Sequence, residues 1–129
     1  MYAILSDGSL KWETKELAAL IYAGLVLTKD GKLYIGTQAA IDGSRQLLTI
    51  EASNGSVTMS PSDQIMSAFS FGPDDRVYFG TVAGNICTIE TNGPASVIFI
   101  VDHALCSLSK PAIESQKVFI SCTLFHFLF

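Results

Sequence analysis

The stretch DGKLYIGT at residues 30–37 recurs as DDRVYFGT at residues 74–81 and, more weakly, as SQKVFISC at residues 115–122. The seventh residue of each copy follows its predecessor by 44 and then by 41 residues. Each copy begins with polar residues typical of turns and continues with aliphatic and aromatic ones, a pattern typical of a β-strand entered through a tight turn. The chain therefore contains a repeat of about 40–45 residues.

Two further features of the sequence keep nearly the same spacing. Ile4, Ile50 and Ile89 each precede an Asp-Gly or Asn-Gly turn, and these dipeptides accept the positive φ of hairpin turns. The same feature continues after the turn, where residues 9–12 match residues 56–59 and 96–99. The second feature is an apolar segment before each strand motif, at residues 25–27, 69–71 and 112–113. Three features with one spacing indicate a true internal repeat.

Each unit is predicted to contain four short strands, which in the first unit are Tyr2–Leu5, Leu10–Glu13, Gly24–Thr28 and Leu33–Thr37. Four strands in about 40–45 residues are typical of one β-propeller blade. We therefore expect an all-β fold, a partial β-propeller of about three four-stranded antiparallel blades. The repeat region spans residues 1–122, with units at residues 2–38, 47–82 and 86–122.

Two segments do not fit the four-strand unit. Residues 14–22 include a stretch that could form a helical turn, and we interpret them as a longer connection or an extended strand entry. Residues 123–129 match nothing in the repeat and form an apolar C-terminal tail. Such a tail indicates either an extra edge strand or a chain that is cut short.

The motifs resemble the pyrroloquinoline-quinone-like (PQQ-like) repeat of the quinoprotein alcohol dehydrogenase-like β-propellers. AILSDGSLKWE at residues 3–13 and LTIEASNG at residues 48–55 are similar to the first half of that repeat. SKPAI at residues 109–113, followed by KVFIS at residues 117–121, is similar to its second half. The resemblance extends over nearly the whole chain to residue 122 and implies a propeller. It names a fold far better than a function.

One departure from that repeat concerns its tryptophan. Trp12 stands in the first unit only, and Met59 and Phe99 take the corresponding places in the second and third. This departure weakens any transfer of the tryptophan packing of the quinone-dependent dehydrogenases to this chain.

The composition favours a folded domain and argues against several classes of partner. Of the 129 residues, 49% are apolar and 16% are charged, so a substantial core is available. The net charge of −4 and the eight scattered basic residues give no reason to bind nucleic acid or an anionic membrane. No apolar run approaches the roughly 20 residues of a membrane-spanning helix. The N-terminus lacks the pattern of a signal peptide. The compartment stays open.

The cysteines and histidines do not form a recognisable metal or redox motif. Cys87, Cys106 and Cys122 are odd in number, lack a C-x-x-C pair and lie in apolar stretches, so we expect buried free thiols. His103 and His126 are isolated from matching ligands and are expected to be structural.

Other motif-like segments are better explained by turns and strands. Ser107 and Lys110 fit an S-x-x-K pattern without the companion elements of penicillin-recognising enzymes. Asn54 begins a glycosylation sequon that coincides with a hairpin turn. The pair Asp74-Asp75 suggests a solvated turn more strongly than a cation site, and residues 24–32 lack the spacing of a phosphate loop.

These observations predict no catalytic, cofactor-binding or metal-ligating residue. We expect a non-catalytic propeller module for protein interaction or scaffolding, a fragment of a longer propeller, with a protein partner and self-association through open blade faces. The alternative is a segment of a larger enzyme. It would be either an adenylate-forming enzyme with appended PQQ-like repeats or a PQQ-dependent dehydrogenase. Dehydrogenases of that kind hold quinone and calcium through acidic, Asn and Arg residues, and this chain has only Arg45 and Arg76.

Overall fold

The computed structural model describes residues 1–15, 19–21, 24–40, 46–62, 65, 67–90, 93–101, 106–108, 111–114 and 117–124. Throughout this part of the chain the regular structure is β-strand, without a helix, and every strand pairing is antiparallel. The predicted all-β class is confirmed. The fifteen strands are β1 (Tyr2–Ile4), β2 (Leu10–Glu13), β3 (Ala19–Ile21), β4 (Val26–Leu27), β5 (Lys32–Ala40), β6 (Gln46–Glu51), β7 (Val57–Pro61), β8 (Ser70–Phe71), β9 (Val77–Gly80), β10 (Asn85–Ile89), β11 (Ala95–Ile100), β12 (Cys106–Leu108), β13 (Ala112–Glu114), β14 (Lys117–Phe119) and β15 (Cys122–Leu124).

The strands form two larger sheets flanked by two hairpins. The first sheet runs β4-β5-β6-β7, with β3 alongside β4 on the same edge of the long strand β5. The second sheet runs β8-β9-β10-β11. Strands β1 and β2 form the N-terminal hairpin, β13 and β14 form the C-terminal hairpin, and β12 pairs with β15.

The repeat in the sequence is matched by a repeat in strand register. Leu33 pairs with Ile50 in the first sheet, and the equivalent Val77 pairs with Ile89 in the second. Equivalent residues also lie opposite each other where β4 pairs with β5, β8 with β9 and β13 with β14. The matching pairs there are Leu27 with Leu33, Phe71 with Val77, and Ile113 with Val118.

The grouping of strands into sheets differs from the predicted grouping by half a repeat. Each larger sheet combines the last two strands of one sequence unit with the first two strands of the next. The physical reason is connection length. β9 and β10 are joined by a tight turn in which Gly84 has φ +82° and donates its N–H to the Thr81 carbonyl, so these strands must lie side by side. The first two strands of a unit are separated from its last two by longer connections.

A third pairing recurs in every unit and was not predicted as part of the repeat. Ile21 lies opposite Thr37, Ile65 opposite Thr81, and Leu108 opposite Cys122. Each pair joins the segment that precedes the strand motif of a unit to the last residue of that motif, directly after Gly36, Gly80 or Ser121. The strand-entry interpretation of residues 14–22 therefore holds for Ala19–Ile21. In the predicted tail, Thr123 and Leu124 belong to β15, and residues 125–129 lie outside the described part.

The core lies between layers, on both faces of the first sheet. One face buries Ile35, Leu48 and Ile50 against the N-terminal hairpin. The opposite face contributes Tyr34 and Leu47 to a larger cluster with the second sheet. That cluster also contains Ile65, Phe69, Val77, Phe79, Cys87 and Ile89, and the Phe69 and Phe79 ring centroids are 5.2 Å apart. Successive side chains of a strand point to opposite faces of its sheet, so alternate residues of β5 and β6 pack against two different neighbouring layers.

Gly36 is required by the close approach of Ile65 to β5. A Cβ at this position would lie 2.5 Å from the Cβ of Ile65, which is completely buried. The side chain cannot retreat into a filled core, so only glycine fits opposite it.

We expect Gly36→Ala to lower the free energy of unfolding by about 1–3 kcal/mol, the range for overpacking a filled core. Urea unfolding followed by circular dichroism measures the change. Gly24→Ala is the matched control, because its Cβ would make an ordinary 3.6 Å contact with Ala68. Equal midpoints for the two variants would contradict the close packing of Ile65 on β5.

Candidate functional site

Trp12 fixes the N-terminal hairpin to the first sheet. Its indole Nε1 donates a hydrogen bond of 2.9 Å to the Ala52 carbonyl oxygen, and the ring lies over Gly55. The Lys11 ammonium donates to the same carbonyl at 3.1 Å. The side chain of Trp12 is buried against Ile35 and Leu48. One tryptophan therefore makes the contacts that hold a hairpin to a sheet with which it shares no strand pairing.

This packing does not recur at the other two places where the repeat was aligned with Trp12. Met59 and Phe99 are both exposed. The strand pairing also corrects the alignment of the third unit with the first. Leu10 lies opposite Ile4, and Ala95 lies opposite the equivalent Ile89, so Leu10 corresponds to Ala95. The sequence alignment of residues 9–12 with 96–99 had matched Leu10 with Val97 instead. Phe99 pairs with Ile86 after a bulge, in the fourth pair from its turn, whereas Trp12 is in the second pair from its own.

The acidic pair of the second unit is held in a turn by side-chain contacts. The Tyr78 hydroxyl donates to Asp74 Oδ2 at 2.6 Å, and Asp75 lies 2.5 Å from the Lys29 ammonium. Asp75 has φ +60°, in the left-handed region that Gly31 occupies in the first unit. Arg76 pairs with Glu90 at 2.7 Å across the sheet. These contacts join the turn to its neighbours, in agreement with the turn interpretation.

Burial and the adjoining carboxylate change the acidity of Tyr78. Desolvation is the largest cause that raises the pKa of its hydroxyl, followed by the hydrogen bond to Asp74 and the negative charge of that carboxylate. The pKa of Tyr34 is raised too, first by burial and then by the charges of Asp30 and Glu51. Both tyrosines are therefore held in the neutral form.

Three of the remaining sequence candidates, Cys87, Ser107 and Asn54, lie on different elements of the described structure. Cys87 is buried, as predicted. Ser107 lies in β12 rather than at a helix start. Asn54 accepts a 2.9 Å hydrogen bond from the Ser56 N–H within its turn. The positions Arg45, His103, Lys110 and His126 lie outside the described residues.

Neither a cluster of metal ligands nor a membrane-spanning helix occurs among the described residues. Over the described ranges, no three His, Cys, Asp or Glu side chains come together as a set of metal ligands. None of the described segments forms a helix long and apolar enough to cross a membrane.

An apolar groove lies beside the last strand of the second sheet. It has a volume of about 450 Å³ between β11 and the C-terminal hairpin, and it is lined by Ile86, Ile98, Phe99, Val118, Phe119 and Ile120. All six residues of β11 are exposed, and none of them is charged. The groove wall therefore consists of aliphatic and aromatic side chains that a folded chain ordinarily covers.

A second exposed apolar surface lies on the N-terminal hairpin. Ala3 and Trp12 face the first sheet, whereas Tyr2, Ile4 and Leu10 lie on the outer face and are more than half exposed. A more polar depression of about 580 Å³ lies beside this hairpin, lined by residues 13–15 and 54–57. Within the described part of the chain, the groove and the outer face of the N-terminal hairpin each expose several apolar side chains together.

Comparison with known proteins gives no family for this chain: no family model matches it, and no curated protein is significantly similar to it.

The raised pKa of Tyr78 predicts a stability change at alkaline pH. Its contribution is complete below the ordinary tyrosine pKa of about 10 and is lost as pH rises through the higher pKa of the folded chain. We expect Tyr78→Phe to cost about 0.5–1.5 kcal/mol at pH 8 through the lost hydrogen bond, and to flatten the decline above pH 10. Urea midpoints from pH 8 to 11 measure both effects. Parallel pH profiles for the variant and the parent would contradict the assignment.

The contact of Trp12 with Gly55 predicts a difference between two glycine variants. Gly55 and Gly8 both have positive φ, +76° and +86°, so alanine is strained at either place. A Cβ on Gly55 would lie 2.7 Å from the indole ring, whereas nothing lies within 4 Å of one on Gly8. We expect only Gly55→Ala to shift the emission of this single tryptophan to longer wavelength and to increase its quenching by acrylamide. Equal spectra for the two variants would contradict the docking.

Proposed function

We propose that the chain is a non-catalytic β-propeller repeat module of the PQQ-like kind, which acts by binding protein through exposed apolar surfaces. Antiparallel sheets of four strands, packed in layers and built from one repeated unit, are typical of propeller blades. The common register of β5-β6 and β9-β10 supports this assignment, as does the third copy of the motif in β14.

The groove beside β11 is the observation that carries the proposal. The residues that line it are all of apolar type, and it continues onto the exposed strand β11. The centres of protein interfaces are apolar and depleted in charge, so this surface is suited to a protein partner. Phe99 and Phe119 are its large aromatic side chains, and both are more than half exposed. Aromatic anchors of this kind supply much of the energy of protein association.

Incomplete sheets also favour association as part of the function. Closed propellers contain typically four to eight sheets. The described strands amount to two larger sheets, the pair β12-β15 and two hairpins, each hairpin having two strands. The module therefore needs strands from elsewhere to cover its open layers, and a scaffold that recruits them is the role we assign to it.

We expect the groove to bind an apolar fluorescent dye when the chain is diluted to nanomolar concentration, where association is minimal. The double variant with Phe99→Ser and Phe119→Ser should lose most of the dye fluorescence, because both anchors of the groove are removed. Met59→Ser is the matched control, since this exposed side chain lies on β7, outside the groove. Circular dichroism checks that all variants retain the sheet signal.

Two results would overturn the proposed function. Dye binding that is unchanged in the double variant would show that the groove is not the binding surface. Alcohol oxidation above the blank, after incubation with pyrroloquinoline quinone and Ca²⁺ in a dye-linked assay, would show a catalytic chain.

A further inference from the structure

We infer that the groove receives the N-terminal hairpin of a second copy of this chain, and that two copies close into one six-sheet ring. This inference rests on the proposed propeller module and names its partner. The arrangement places β1 of the second copy beside β14, antiparallel to it. The C-terminal hairpin of one copy and the N-terminal hairpin of the other then form one four-stranded sheet.

The order of strands in the complete sheets carries the first step. Both sheets place the last two strands of one unit beside the first two strands of the next. The C-terminal hairpin is the last pair of a unit, because Ile113 and Val118 match the pairs Leu27-Leu33 and Phe71-Val77. The N-terminal hairpin is the first pair of a unit. Among the described residues neither hairpin pairs with a further strand, so each lacks the half that the other supplies.

The repeat also gives the register of the new ladder. In the complete sheets, Leu33 lies opposite Ile50 and Val77 lies opposite Ile89. Val118 occupies the place of the former residues and Ile4 the place of the latter. The pairs between copies are therefore Val118 with Ile4, Phe119 with Ala3 and Ile120 with Tyr2.

Burial at equivalent positions shows which surface is uncovered. Ile50 and Ile89 are 0% and 2% exposed, whereas Ile4, at the same place in the repeat, is 59% exposed. The next position on this face of the sheet follows the same rule. There Leu48 and Cys87 are 2% and 6% exposed, whereas Tyr2 is 65% exposed. In the two complete sheets this face is covered by a neighbouring layer, and in the N-terminal hairpin it is open.

The groove lies where that missing layer belongs. The C-terminal hairpin packs on the first strands of the second sheet, where the Ser70 hydroxyl donates to the Pro111 carbonyl oxygen. Ile120 reaches Ile86 on β10. A strand added to the edge of β14 that pairs with no described strand continues this layer outward over β10 and β11. Its covered face then brings Tyr2, Ile4 and Leu10 onto the apolar lining of the groove.

The number of sheets selects two copies. The described strands of each copy form two complete sheets, and each junction between copies completes one more. Two copies joined at two junctions contain six sheets, within the typical four to eight of closed propellers, whereas three copies would contain nine. The junction is heterologous, because a hairpin of one copy meets a groove of the other, and two such junctions close the ring.

The test uses the full chain and two variants that block opposite sides of the junction. Ile4→Asp places a carboxylate on the hairpin face, and Phe99→Asp places one in the groove. Sedimentation velocity at micromolar concentration should show the parent as two-chain particles and each variant alone as single chains. An equimolar mixture of the two variants should again form two-chain particles, because one intact hairpin still meets one intact groove. Met59→Asp is the control, since Met59 is exposed on β7, at the opposite edge of the first sheet from β4 and outside the groove, and this variant should stay paired.

Disulfide formation between copies tests the proposed pairing of β1 with β14. In a background with all three cysteines changed to alanine, Ile4→Cys and Val118→Cys chains are mixed and oxidised. We expect a covalent pair from this mixture, and none when Leu27→Cys replaces Val118→Cys.

Several outcomes would overturn the inference. If the parent sediments as a single chain, the inference of a two-copy ring is wrong. The groove could then bind a different protein, and the dye-binding experiment would still test the proposed function separately. A mixture that stays monomeric would show that an intact hairpin of one copy does not bind an intact groove of another. Open polymers would show that the junctions do not close with two copies.

Discussion

The central ladder of each sheet joins the end of one sequence repeat to the beginning of the next, and the rest of the fold depends on this constraint. Because β5 pairs with β6 and β9 with β10, every boundary between units is bridged by backbone hydrogen bonds. Sheets could otherwise be held together only by side-chain packing between layers. The ladder makes neighbouring repeats one cooperative unit, and it leaves the incomplete pairs of strands at the two ends of the described chain.

Side-chain packing then completes what the ladder begins. The N-terminal hairpin shares no strand with the first sheet, so Trp12 and the carbonyl of Ala52 hold it in place. Between the two sheets the same task falls to Ile65, Phe69 and Phe79, which are buried almost completely. The close contact of Ile65 with Gly36 ties the entry segment of the second unit to the main strand of the first. Backbone pairing sets the strand order, and these few contacts set how the layers stack.

Much of this fold could be predicted from the sequence, because its signals are local. Turn dipeptides and short apolar runs predicted the strands, and the left-handed φ of Gly8, Gly31 and Gly55 agrees with the predicted hairpins. Gly93, in the turn between β10 and β11, does not have a positive φ, although the hairpin forms. The grouping into sheets could not be predicted in the same way, since a periodic sequence does not state where its period begins. Connection length was the available signal, and the tight turn that ends at Gly84 gives the answer for the second sheet. The pairing of Ile65 with Thr81 is a single bridge, too short to produce a strand pattern. The groove depends on residues from β10, β11 and the end of the C-terminal hairpin, and only the folded chain brings them together.

The exposed strand β11 has a consequence for handling the protein. Residues 95–100 form an edge strand without charge or proline, and an edge of this kind presents free N–H and C=O groups to any other chain. Six-residue segments with high β-propensity and low charge are the ones that stack into amyloid. Concentrated or heated samples therefore have a route to irreversible fibrils through this strand. A lysine on its solvent face, at Val97 for example, would act as a gatekeeper against it.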